Sequence, residues 1–170
     1  MYEVLVYVYE NYGGGGDSPD RHQLGRRLSS AGFERSDIQQ ALQWLDGLDC
    51  AAGGIHVPQT PDAPDAPDAP DAPAATWPAA PGSLRIYSPR EMAHLGREGI
   101  ACLMFLEEAG ALSADLRELV IERALAASDE PMALGDLKII VMMVYWRMGA
   151  SPGALVLDEL CDDAGRRVAH

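Results

Sequence analysis

Apolar residues recur at helical spacing along most of this 170-residue chain, and β-like stretches are few and short. In residues 2–12, Val4, Leu5, Val8 and Tyr12 share one face, and Glu3 and Glu10 supply a wet edge. The glycine run at 13–16 ends that helix. Ser18 and Pro19 then read as an N-cap and first helical residue, because a serine oxygen accepts an orphan amide and proline lacks a donor that would be wasted there. The second helix is expected to run to about Ala31 and stop at Gly32, burying Leu24, Leu28 and Ala31, with Phe33 anchoring the turn. The third buries Ile38, Ala41, Leu42, Leu45 and Leu48, and Trp44 widens that face.

Three short helices with a glycine-containing turn before the third make a helix-turn-helix type of unit. Ile55, His56 and Val57, and after a proline tract Leu84, Arg85, Ile86 and Tyr87, are short and β-prone, so they are expected to pair as a wing. The tract between them holds eight of the 12 prolines and a repeating Pro-Asp-Ala triplet. In polyproline II, with three residues per turn, Asp62, Asp65, Asp68 and Asp71 would line one side. An extended, solvated spacer is the simpler expectation.

Three of the remaining four prolines follow serine and mark helix starts. Ser88 and Pro89 precede Glu91, the spacing of a capping box. Ser151 and Pro152 open the last helix. Between them, residues 97–109 bury Ile100, Leu103, Met104 and Leu106, and residues 114–127 bury Leu116, Leu119, Val120 and Leu125. Residues 136–148 carry Ile139, Ile140, Met142, Met143 and Trp146, and Gly149 ends that helix. The apolar run at 139–146 reads as a helix buried on nearly all sides, and it falls far short of the roughly 20 residues that span a bilayer.

The expected fold class is therefore mainly α: an N-terminal trihelical, winged-helix-like lobe with a short β-hairpin, plus a C-terminal helical bundle of four or five helices. The expected division is residues 1–57 for the first lobe, 58–82 for a Pro/Asp/Ala-rich disordered linker and 83–170 for the second lobe. In it, 84–87 form a strand completing the first lobe, and the two lobes share a core.

Charge narrows the function. The chain carries 26 acidic and 13 basic residues, a formal charge of −13. Residues 1–52, 53–84 and 85–170 are each net negative, which opposes a broad nucleic-acid footprint. Reading DNA through the third helix would need a basic surface around Arg21, Arg26, Arg27 and Arg85, yet that helix offers Glu34, Asp37, Asp46 and Asp49 against Arg35. Gln39, Gln40 and Gln43 could bond bases but do not offset phosphate repulsion.

Candidate chemistry is sparse. Cys50, Cys102 and Cys161 show no metal-ligand spacing and read as reduced, mostly buried thiols. His22, His56, His94 and His170 are scattered and read as surface histidines. The glycine run lacks the Lys-Ser/Thr of a phosphate loop. Adjacent acids such as Glu107 and Glu108, Asp158 and Glu159, and Asp162 and Asp163 diverge by about 100° on a helix, so they do not share a site. Arg117, Glu118, Glu122 and Arg123 read as an exposed charged face, and Met142, Met143, Tyr145 and Trp146 as core. No catalytic, cofactor-binding or metal-binding residue is assigned, and no cofactor is expected. No basic, apolar leader opens the sequence, so a cytosolic protein with no membrane partner is expected.

The segments YEVLVYVYENY, AGFERSDIQQALQWL, SLRIYSPREM, DLRELVIERAL and DLKIIVMMVYW together resemble the bacterial Smg family. The resemblance covers roughly residues 1–50 and 83–147 and breaks in the proline tract. It implies a small cytosolic protein and supplies no catalytic residues. The family's usual gene neighbours serve peptide deformylation, initiator-tRNA formylation and DNA processing, which implies a link to translation or DNA metabolism. The expected function is a non-enzymatic adaptor or regulator working through contacts with a protein partner; the alternative is a DNA-binding regulator using the winged-helix-like lobe.

Overall fold

A computed structural model describes residues 1–12, 21–53 and 85–149. The Ser18–Pro19 start, the 55–57 strand, the proline tract and the last helix lie outside the described residues. Within them the chain forms six helices: α1 Tyr2–Tyr12, α2 Arg21–Ser30, α3 Arg35–Ala52, α4 Pro89–Glu108, α5 Ala114–Ala127 and α6 Leu134–Arg147. The mainly α expectation holds.

The most apolar segment takes the centre. Every residue of α6 from Leu137 to Tyr145 is buried, and α1, α3, α4 and α5 pack around it. Met142 and Met143 are core residues, as their position in that run implies. Buried side chains from all six helices form one cluster, so the two halves share a core. Burying apolar side chains at about 25 cal/mol per Å² is what holds such an assembly together. Indole and phenol groups then fix how the helices sit. Trp44 Nε1 donates to the Arg123 carbonyl at 2.9 Å, Trp146 Nε1 to the Tyr12 carbonyl at 3.2 Å, and the Tyr145 hydroxyl to the Ala111 carbonyl at 2.5 Å.

Local signals set the helix limits. Gly32, at φ 94°, ends the turn after α2, and Phe33 meets the Tyr7 ring edge-on with centroids 5.4 Å apart. The Ser88 hydroxyl accepts from the Glu91 amide while the Glu91 carboxylate accepts from the Ser88 amide, completing the capping box. Ser113 caps α5 from one side only, its hydroxyl accepting from Leu116 N–H at 3.3 Å. Inside α4, Gly96 at φ 66° and ψ 178° interrupts the helix, and the His94 carbonyl accepts from the Met132 amide at 2.7 Å.

The wing is the principal correction. Among the described residues there is no strand, and residues 85–88 run in irregular conformation. The alternation that suggested a strand is present, with Arg85 and Tyr87 turned inward and Ile86 86% exposed. Those inward side chains dock on α4 and α5, and the Ser88 amide is taken by Glu91. Among the described residues a winged-helix-like lobe is not formed either. α1 and α3 both pack against α6, and α3 also packs against α5, so the first three helices are built into the common core.

Candidate interaction surface

Five side chains form a connected ionic chain beside the start of α4. Arg85 reaches Glu91 with Nη1 and Nη2 at 3.0 and 2.8 Å, and Glu118 with Nε and Nη2 at 2.7 and 2.8 Å. Arg117 bonds Glu118 and, on its other side, Glu107. The Tyr87 ring lies under the Arg85 guanidinium, 4.5 Å from centroid to carbon. Arg85 beside it holds the Glu91 carboxyl at about 2, well below the usual carboxylate range, and the same guanidinium pulls Glu118 down. These carboxylates stay ionised and bound to cations, so they are structural groups and poor proton carriers. The expectation that 117, 118, 122 and 123 form one exposed face fails. Arg117 is buried and Arg123 lies over the backbone of α3, where a Cβ on Gly47 would fall 2.1 Å from its Nη1.

Two of the four cations a DNA reader would need are similarly occupied. Arg21 pairs with Asp46 and Asp49, and Asp49 also binds Arg147 of α6. Arg27 lies over the Tyr12 ring at 5.8 Å. Arg26 is exposed on α2, and the outward face of α3 carries Arg35, Gln39, Gln43 and Asp46. Arg21 and Arg85, two of the four residues the alternative calls on, are thus neutralised by acids.

The remaining candidates are also placed. His94 is buried, not at the surface, two residues before the break in α4 and with Nε2 3.1 Å from the Ala124 carbonyl of α5. His22 is exposed; His56 and His170 lie outside the described residues. Cys50 is exposed on α3, against the expectation of buried thiols, Cys102 is half-buried, and Cys161 lies outside the described residues. Among the described residues no group of three or more His, Cys, Asp and Glu side chains could hold a metal ion. Asp158, Glu159, Asp162 and Asp163 are not described.

An open groove of about 610 Å³ runs between the start of α1 and the end of α5, lined by Met1, Tyr2, Gln40, Ser128, Asp129 and Glu130 among others. Its polar groups have local work. Met1 N donates to Asp37 Oδ1 at 2.9 Å, and Ser128 Oγ accepts from the Glu130 amide at 3.0 Å. Burial, helped by the charge of Asp136, pushes the Tyr2 phenol up to about 12. The described lining contains no histidine, cysteine or lysine beside Ser128 to activate it as a nucleophile.

The most distinctive surface is apolar. The large hydrophobic side chains most exposed among the described residues are Ile86, Met92, Met104 and Phe105, and all fall within 20 positions of one another on or just before α4. Met104 and Phe105 are 44% and 53% exposed. They sit side by side because Leu95, Gly99, Leu103 and Leu106 define the buried stripe of α4, which turns 104 and 105 outward. Sequence periodicity placed Met104 in the core and did not single out Phe105. The signal was present in the four-residue spacing of 95, 99 and 103, a stripe that excludes both.

The fold and surface define a mainly α-helical protein with exposed apolar side chains on α4, and no helix among the described residues is long and apolar enough to cross a membrane. The chain belongs to the DUF494 family, described as a protein of unknown function, whose family model matches residues 1–170. It is 45% identical to the Protein Smg homolog of Methylibium petroleiphilum and 45% identical to that of Leptothrix cholodnii, each over 170 residues and the whole of both chains. It is 41% identical to the Protein Smg homolog of Bordetella pertussis over 174 residues, again covering both chains fully. The match therefore runs through the proline tract and the C-terminal segment, further than the blocks that first carried the resemblance. No solved structure matches the chain.

Proposed function

We infer that this protein is a non-enzymatic adaptor or regulator that engages a protein partner through the outward face of α4. The observation that carries this reading is that the large apolar side chains most exposed among the described residues, Ile86, Met92, Met104 and Phe105, all lie on or just before α4. Exposed apolar patches of this kind cost solubility, and they mark contact sites in soluble proteins. The acid pairing of Arg21 and Arg85 weighs against the alternative, a DNA-binding regulator. The reading places the protein in the cytosol, and the gene neighbours of the Smg family make translation factors the first partners to examine.

Affinity capture with tagged wild-type chain and with the Met104→Glu, Phe105→Glu variant tests it. Both side chains are exposed, so the variant is expected to fold with unchanged circular dichroism. A protein retained by the wild type and lost from the variant supports the reading. Identical captures by two folded proteins contradict it.

A further inference from the structure

The outward face of α4 is self-complementary, and we propose that a second copy of this chain covers it in an antiparallel α4–α4 pairing about a two-fold axis. The inference rests on reading that face as a contact surface. Arg97, Ala101, Met104 and Glu108 are all exposed. Their spacings of four, three and four residues are those of a coiled-coil seam, and at 3.6 residues per turn they fall in one narrow stripe. Phe105 flanks the stripe on one side.

Charge and size are both arranged so that the stripe matches its own reverse. It begins with a cation, ends with an anion, and is apolar between. In an antiparallel pair centred between residues 102 and 103, Arg97 meets the partner's Glu108 and Glu108 meets the partner's Arg97. The small Ala101 faces the partner's Met104, so the hollow of one helix receives the large side chain of the other, and the two-fold repeats each contact. A parallel pairing would set Arg97 against Arg97 and Glu108 against Glu108. Arg97 and Glu108 take no part in the ion pairs that engage Glu107, Arg117 and Glu118 beside them, so the described residues leave their charges available.

The chain's charge of −13 opposes self-association at long range. At about 0.15 M salt, charges farther apart than about 8 Å are largely screened, and the close pairs across the seam remain. The dimer should therefore be favoured as salt rises from low levels. A basic partner on the same acidic protein would show the reverse.

The test is sedimentation equilibrium of the full chain over a concentration series at about 0.15 M salt, with circular dichroism confirming that each variant is folded. The wild type should move from monomer to dimer mass. Arg97→Glu alone and Glu108→Arg alone should each weaken the dimer about tenfold, because each places like charges together twice across the two-fold. The double variant Arg97→Glu, Glu108→Arg should return to within about threefold of the wild type, since its stripe is again self-complementary. Monomer mass at every concentration, or a double variant no stronger than the singles, would overturn the proposal. If the chain is monomeric yet loses a different captured protein in the Met104→Glu, Phe105→Glu variant, the second copy is the wrong occupant and the contact surface stands.

Discussion

Glu91 serves two structures with one carboxylate. It closes the capping box of α4 by accepting from the Ser88 amide at 2.7 Å, and it binds Arg85 through both oxygens, which ties the segment before α4 to the helix. Its folded pKa near 2 lies below the ordinary 4.5, chiefly through the Arg85 hydrogen bonds. A depressed carboxylate contributes stability that is present above the unfolded pKa and lost as pH falls through the folded one. A difference of this size has a ceiling of about 3 kcal/mol, and the hydration of a surface network reduces the expected contribution to about 1 to 2 kcal/mol. Glu91→Gln should therefore cost about 1 to 2 kcal/mol at pH 7 in urea unfolding. That deficit should narrow as pH falls below about 4.5, since the wild type loses there what the variant never had. A deficit that stays constant from pH 7 to 3 would show that the charge of Glu91 is not what stabilises this corner.

At the scale of the element, α4 was the hardest helix to read. Its start was plain from Ser88, Pro89 and Glu91, a local signal that needs no tertiary context. The break at Gly96 was not, because a single glycine inside a helical pattern is usually tolerated and nothing local announces a positive φ. Missing the break left the register of 97–108 open and put Met104 in the core. A Cβ added at Gly96 would meet no atom within 4 Å, so replacement there tests backbone strain without a clash. Gly96→Ala should destabilise by about 1 to 3 kcal/mol, the cost of holding a residue with a Cβ at φ 66° and ψ 178°, a region essentially confined to glycine. At about 2 to 4 °C per kcal/mol for a chain of this length, the thermal midpoint should fall by roughly 2 to 12 °C. An unchanged or higher midpoint would mean that the helix is continuous through residue 96 in solution.

At the scale of the molecule, the sequence disclosed the core better than the surface. Residues 139–146 read as a helix buried on nearly all sides, and 139–145 are buried at the centre of the fold. Periodicity sorts a helix into wet and dry faces but does not say which distant charges will meet. Arg85 and Glu118 are 33 positions apart and Arg147 and Asp49 are 98 apart, so the neutralisation of the basic residues was invisible until the chain was folded. That neutralisation carries a prediction. Mixed duplex DNA should show no binding at micromolar protein in about 0.15 M salt, where nonspecific binders reach about 10⁻⁴ to 10⁻⁶ M. Submicromolar, salt-sensitive binding abolished by Arg26→Glu with Arg27→Glu would restore the regulator alternative.

The most direct test of the contact surface places a photoreactive benzoylphenylalanine in the cell at Phe105, and in a control at Arg35 on the outward face of α3. Irradiation should produce a discrete protein crosslink from position 105, whether to another protein or to a second copy of this chain, and little from position 35. A chain that crosslinks from position 35 while position 105 stays silent would contradict the assignment of α4 as the working face.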